Sequence, residues 1–430
     1  MTQGSISIPI LARVEGEGAL ELQIQNNQIV KLELRIFEPP RLFEKFLEGR
    51  GYEEVLDIVA RICGICPVAY QMSAVHALEN IFAIDPGTWV REMRRLFYCG
   101  EWLGSHSTHI HLLAIPDFFG FKSAYEMAKK YPEEIRRGLR LQALGSETIK
   151  LLGGRSVHPV GACVGGFFRA PTMQERDSLL KRFYEGLKDA EELLQWVAQI
   201  PFPNEEEDFT CVSLQHPAEY PINEGNIVSD TGLNIAIDNF NDYVQEYQVP
   251  YSNALHCTLE GKSYLVGPLA RVNLNYHRLP KSLRDMIAKT GIQFPSKNMF
   301  YSIIARAIEI CYGVLESIRI LENYSYQSSP RIEKIIPRAG VGYGCTEAPR
   351  GILWHSYELD EQGLVTKARI VAPTGQNQVR IEENLRFSLQ KYGLARSNDE
   401  LRLHSEMIIR NYDPCISCST HFLDLRVKRI

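Results

Sequence analysis

The chain has 430 residues, 45% hydrophobic and 23% charged, with 47 Lys and Arg set against 52 Asp and Glu for a formal net charge of -5. Such a length buries a large core, the mild acidity and scattered basic residues exclude the field of a nucleic-acid binder, and no stretch reaches the roughly 18 apolar residues that suggest a membrane span. Ten cysteines in so long a chain do not make a disulfide scaffold, and in a reducing compartment paired cysteines point to metal or redox chemistry.

The opening segment, MTQGSISIPILARVEGEG, lacks the cationic start and apolar core of a secretory signal, so a cytoplasmic location is expected. A chain without its own signal can still be exported alongside a partner that carries one. Residues 19–24 and 29–36 alternate apolar and polar around Asn26-Asn27, a pair that tolerates left-handed turn geometry, and predict a β-hairpin. Apolar residues recur at three and four in 135–152, 175–200 and 298–322, which predicts long helices. Between them, 202–275 is richer in Pro, Asn, Gly and aromatics with short alternating runs, a mixed β excursion, and 351–372 is a second alternating run with a turn at 360–363. There is no tandem repeat or clean linker. The expected fold is α+β: a mainly helical core built as a long bundle, a small N-terminal antiparallel sheet, and β-rich segments near 1–37, 202–275 and 351–372, all in one large catalytic unit over 1–430.

Cys63-Gly64-Ile65-Cys66 and Cys415-Ile416-Ser417-Cys418 each set two thiolates one turn apart, the spacing that lets both sulfurs reach one metal. A structural four-cysteine zinc is the common use of such pairs. Two features weigh against it: zinc ribbons close within a few tens of residues, whereas these pairs are separated by most of the chain, and a lone zinc needs none of the acidic and basic residues nearby.

The segments Arg61-Ile62-Cys63-Gly64-Ile65-Cys66 and Asp413-Pro414-Cys415-Ile416-Ser417-Cys418-Ser419-Thr420-His421 resemble the two signature motifs of nickel-iron hydrogenase large subunits. Arg13-Val14-Glu15-Gly16, Phe43-Glu44, His158-Pro159 with Gly165-Gly166, Glu347-Ala348-Pro349-Arg350-Gly351 and Ala372-Pro373-Thr374 are similar to further family blocks in sequence order. The resemblance implies the fold of that family and reversible cleavage of hydrogen. It also implies one nickel held by Cys63, Cys66, Cys415 and Cys418, with Cys66 and Cys418 bridging to an iron that carries carbon monoxide and cyanide. Thiolates are soft donors suited to redox-active nickel and iron.

The same resemblance makes Glu15 the proton carrier beside Cys415, where composition alone would read a solvated carboxylate by a glycine turn. A proton released from hydrogen needs an ionisable group within reach of a basic sulfur. Arg350, fixed by Pro349, would lie over the open face of the metals and contact cyanide, as a five-donor fork suits an anionic ligand. Thr374 would donate to the second cyanide and Asp413 would orient Arg350. Glu44 and His421 resemble the ligands of a separate magnesium or iron ion. Residues 422–430, FLDLRVKRI, would be a maturation peptide removed after metal insertion, because its charges could not be buried beside His421.

Ser105 stands where many members carry an aspartate in the active-site canopy, so one canopy hydrogen bond of the family is not expected here. Glu17 replaces the histidine of many exported members, and with the modest length this looks more like the cytosolic bidirectional enzymes that exchange electrons with nicotinamide cofactors. The chain offers no cysteine set for iron-sulfur clusters and no Gly-rich βαβ fingerprint. Electrons must therefore leave through another polypeptide, and the resemblance implies as partners an iron-sulfur small subunit, diaphorase subunits carrying flavin and working on NAD(P), metallochaperones and a maturation endopeptidase. The rival readings are a non-catalytic four-cysteine zinc protein of structural or assembly role and, within the fold, a deazaflavin-reducing or membrane energy-converting hydrogenase subunit.

Overall fold

The computed structural model describes residues 3–420. Strand Gly18–Gln25 pairs antiparallel with Gln28–Ile36, and the turn between them puts Asn26 and Asn27 at φ 52 and 60°. Both positions of such a turn need left-handed backbone, which Asn accepts at low cost. Gln3–Ile8 adds a third strand on the free edge of Gly18–Gln25, an element the alternation did not reveal. Leu20, Leu22, Leu32, Leu34 and Ile36 point to one face. That face packs with Ile381, Leu385 and Leu389 of the Pro373–Tyr392 helix and with Leu401, Ile408 and Ile409 of the Asn398–Tyr412 helix.

The helical core is built from Pro67–Phe82, Gly87–Thr108, Pro132–Gly153, Met173–Ala198 and Tyr301–Glu322. Met173–Ala198 starts where its sequence says it should: Thr172 Oγ1 accepts from Glu175 N at 3.2 Å and Glu175 returns a bond to Thr172 N at 2.8 Å, so two orphan donors are satisfied reciprocally. Gly87–Thr108 and Pro132–Gly153 approach so closely that a Cβ on Gly145 would run into the Gly100 carbonyl oxygen. The first of these helices continues as a wider-wound π turn, His109–Ala114, a feature frequent near functional sites.

Strands Gly340–Ala348, Gly351–Leu359 and Val365–Val371 form an antiparallel sheet in chain order that lies on the Pro67–Phe82 helix. Gly342 and Gly344 leave room for the carbonyls of Ala77 and Ser73, which would occupy the space of a side chain. The register Ala348↔Gly351 makes Pro349-Arg350 the tip of a two-residue hairpin, which fixes where Arg350 points. The segment 202–275 holds a three-stranded sheet, Val212–Gln215, Asn226–Ser229 and Asn234–Ile235, and a pair, Val244–Gln248 with Leu255–Leu259, before the Pro268–Asn275 helix.

Among the described residues no helix is long and apolar enough to cross a membrane.

Candidate metal centre

The two cysteine pairs are presented by two helix starts. Cys66 is the cap of Pro67–Phe82, with Pro67 at the first helical position, where its missing N–H costs nothing. The backbone donors that follow are taken by Glu101, whose carboxylate accepts from Val68 N at 2.6 Å and Ala69 N at 3.1 Å. At the other end of the chain, Asn398–Tyr412 stops at Asp413 in left-handed geometry (φ 57°), and Cys415 caps the single turn Ile416–Ser419. Ile416 N donates to the Glu15 carbonyl at 3.0 Å, tying that turn to the N-terminal segment.

The four sulfurs of Cys63, Cys66, Cys415 and Cys418 lie within 4.8 Å of one another, and each residue is 4% exposed or less. Cys63 Sγ is 3.3 Å from Cys415 Sγ, Cys66 Sγ is 3.6 Å from Cys418 Sγ, and Cys415 Sγ is 2.8 Å from Cys418 Sγ. Four thiolates cannot share so small a dry space without a cation. Burial and then the neighbouring sulfurs push the Cys415 thiol well up, while hydrogen bonds from Cys415, Cys418 and Cys66 hold Cys63 well below its ordinary value. This is the only group of three or more His, Cys, Asp or Glu positioned to hold a metal ion among the described residues.

Glu15 meets the cluster at its edge. Its Oε2 accepts from Cys415 Sγ at 3.1 Å and from Ser417 N at 3.0 Å. Ser417 Oγ in turn donates to Glu38 Oε1 at 2.7 Å, and Glu17 N donates to Glu38 Oε2 at 3.2 Å. Two carboxylates thus hold Ser417, Glu15 at its amide and the half-exposed Glu38 at its hydroxyl.

Arg350 is 3% exposed. Its Nε donates to the Asp413 carbonyl at 2.6 Å and its Nη2 to Asp413 Oδ1 at 2.9 Å, a planar fork spanning backbone and side chain. Burial alone would raise the Asp413 carboxyl, yet Arg350, His109 and Arg306 hold it below its usual value. Arg306 Nη2 stands 3.9 Å from Asp413 Oδ2. The remaining Arg350 nitrogen, Nη1, is buried and has no hydrogen-bond partner. Ser105 Oγ is likewise buried without one, so Ser105 does not bond to Arg350. Arg350 and Pro349 border a cavity of about 10 Å³ against Cys66, Cys415 and Cys418. Thr374, 2% exposed, accepts from Cys415 N at 3.0 Å, which leaves its hydroxyl proton to donate elsewhere.

Glu44 lies farther along, in the Phe43–Leu47 helix, with Oε1 accepting from Ile370 N at 2.6 Å; burial pushes its carboxyl up to about 7. His421, its expected co-ligand, and the segment 422–430 lie outside the described residues. The histidine-rich stretch is buried and held neutral, chiefly by burial: His106 Nε2 is 2.9 Å from Glu309 Oε2, His109 Nε2 donates to the Arg410 carbonyl at 2.7 Å, and His111 Nδ1 donates to the Ser107 carbonyl at 2.9 Å. Sequence reasoning passed over Ser417 as a site residue, Glu38, Arg306, Glu101 and Tyr70. Only Arg306 left a signal, a lone cation inside the apolar run of the Tyr301–Glu322 helix.

The donor set fits a nickel-iron group. The ligands are soft and buried, and Arg350, which lines the cavity beside them, has a guanidinium nitrogen without a partner, as an anionic diatomic ligand would require. Residues 41–137 and 234–421 match the nickel-dependent hydrogenase family. The chain is 32% identical over 427 residues to the sulfhydrogenase 1 subunit alpha of Pyrococcus furiosus, covering 98% of both chains. It is 28% identical over 466 residues to the NAD-reducing hydrogenase HoxS subunit beta of Cupriavidus necator, covering 96% of this chain and 94% of that one. Its structure resembles an NAD+-reducing [NiFe]-hydrogenase in the H2-reduced state, with a TM-score of 0.90 at 25% identity over 97% and 99% of the two chains. The fold also matches the reduced Ni-Fe-Se hydrogenase of D. vulgaris Hildenborough, with a TM-score of 0.80 at 22% identity over 98% of this chain and 100% of that one. Four thiols brought together from the two ends of a fold shared over its whole length place this chain in the nickel-dependent hydrogenase family, as a large, catalytic subunit.

Proposed function

We propose that this chain splits and forms hydrogen at a nickel that Cys63, Cys66, Cys415 and Cys418 would hold, with Cys66 and Cys418 also holding an iron that would carry carbon monoxide and cyanide ligands. The observation that carries the reading is the contact between Cys415 Sγ and Glu15 Oε2 at 3.1 Å at the rim of the buried thiol cluster. When bound, the two metals supply heterolytic cleavage of hydrogen; every other task falls to the protein. Cys415 receives the proton and passes it to Glu15, a transfer for which a positioned carboxylate is worth about 100- to 10,000-fold in rate. From Glu15, which is itself half-buried, the proton passes to solvent. Arg350 keeps Nη1 free for a diatomic ligand and Asp413 holds the guanidinium in place, while Thr374 offers its hydroxyl proton to a second such ligand. Ser105 contributes no carboxylate, so the arginine is oriented from the Asp413 side alone.

The finer assignments rest on the same reading. Glu44 and His421 would hold a second ion, magnesium or iron. Electrons would leave through an iron-sulfur small subunit in the cytoplasm and reach NAD(P) through a diaphorase; likeness to NAD-reducing and sulfhydrogenase relatives supports this. The segment 422–430 would be cleaved by an endopeptidase once metallochaperones have filled the site, and mass spectrometry of active enzyme should find a chain ending at His421. Nickel and iron in the purified complex, with infrared bands of carbon monoxide and cyanide, are the expected result for the centre itself. Zinc alone would refute it.

A further inference from the structure

The cavity beside the thiols has a third polar wall. Tyr70 follows Cys66 by one turn, its N–H donating to the Cys66 carbonyl at 3.5 Å. Side chains on a helix lean toward its N-terminus, so the phenol extends back over the cysteine. It is 1% exposed, its ring packs against His355 with centroids 5.6 Å apart, and it lines the same cavity as Cys66, Cys415, Cys418 and Arg350. Its hydroxyl is buried with no hydrogen-bond partner: no sulfur, carbonyl or side chain of the described residues accepts from it. A buried hydroxyl left unpaired forfeits a hydrogen bond it would have made with water, and such groups are rare where no ligand, ion or water completes them. Here two residues that each carry an unsatisfied donor, Tyr70 and Arg350, line one space.

We infer that Tyr70 is a hydrogen-bond donor to the ligand shell of the iron, acting from the opposite element to Arg350. The inference rests on the nickel-iron reading above. The acceptor is anionic and lies in the cavity: a cyanide nitrogen, or a bridging thiolate once the metals have drawn the sulfurs into place. A phenol is protonated at neutral pH, so it is available as a donor. Tyr70 is thus a contact residue of the cofactor that tunes electron density at the iron, because withdrawing charge from a ligand weakens what that ligand gives the metal.

The test uses the complete hydrogenase complex and the infrared bands of its diatomic ligands. Tyr70→Phe keeps the ring packing and removes only the donor, so metal content should hold while bands shift. A shift confined to one cyanide band identifies cyanide as the acceptor; a concerted shift of the carbon monoxide and both cyanide bands identifies a bridging sulfur. Replacement of Tyr70 by 3-fluorotyrosine leaves the shape nearly unchanged and strengthens the donor, and should move the same bands in the opposite sense, which decides the matter even if Tyr70→Phe assembles poorly. Bands unmoved by the fluorinated residue would overturn the role of Tyr70. A parent enzyme without such bands would instead overturn the nickel-iron reading itself.

Discussion

Replacing Glu15 by glutamine removes a titrating proton and little else. The backbone carbonyl of residue 15 still accepts from Ile416 N, and the side-chain amide oxygen can still accept from Ser417 N, so both ties that hold the Cys415 turn survive the change. What is lost is the carboxylate oxygen that stands 3.1 Å from Cys415 Sγ, since an amide cannot carry the proton onward. Loss of a positioned acid-base group costs about 100- to 10,000-fold in rate, equal to roughly 3 to 5 kcal/mol on the barrier. The assay is hydrogen-deuterium exchange between H2 and D2O, read beside dye reduction, with metal content and infrared bands recorded to show an assembled centre. Glu15→Gln should retain its metals and bands and lose both activities. A fully metallated Glu15→Gln enzyme that exchanges at the parent rate would show that the proton leaves Cys415 by another way.

Arg350→Met strands the buried Asp413 carboxylate with Arg306 at 3.9 Å as its nearest cation; breaking such a pair costs about 3 to 5 kcal/mol, so the urea midpoint should fall sharply, and an unchanged midpoint would contradict the pairing. Gly145→Ala drives a methyl into the Gly100 carbonyl and should destabilise by about 1 to 3 kcal/mol through overpacking, measurable as a lower thermal midpoint. His404 stacks on Tyr392 with centroids 4.0 Å apart, and burial lowers its pKa to about 4. The folded value lies below the ordinary 6.5, so the unfolded chain binds the extra proton between those limits; the contribution is full above about pH 6.5 and is lost as pH falls toward 4, by up to about 3 kcal/mol. In His404→Gln that slope should vanish; stability curves of parent and variant that stay parallel from pH 7 to 4 refute the argument.

Much of this was legible because the relevant signals are local. The hairpin announced itself through alternation and two Asn residues, the long helices through their period, and the thiols through their spacing. The strand Gly340–Ala348 was not, because its glycines serve close contact with the Ala77 and Ser73 carbonyls and so erase the alternation that would have marked it. Glu38 and Ser417 are 379 residues apart, and no pattern in either segment mentions the other. Tyr70 reads as an ordinary core aromatic; only the emptiness around its hydroxyl distinguishes it. Burial defeats sequence reading in the same way at Glu101, which looks like a helix-surface acid yet spends its carboxylate on the donors behind Cys66.

The placement of Glu15 also bears on how the centre is made. Cation binding by four cysteines must expel their protons, and this cluster is sealed, with no thiol more than 4% exposed. In this closed arrangement a proton can leave a sulfur along the hydrogen bond that Cys415 makes to Glu15. Cys415 Sγ is the sulfur that donates to a carboxylate, and that carboxylate also fixes the Ser417 N–H one step along the same turn. The contact that would carry a proton away in each turnover is thus the same contact available to discharge protons when metal enters. Because residue 15 and residue 415 meet only when the two ends of the fold have come together, that discharge requires a largely folded chain, so metal binding and closure of the C-terminal turn are coupled through a single side chain.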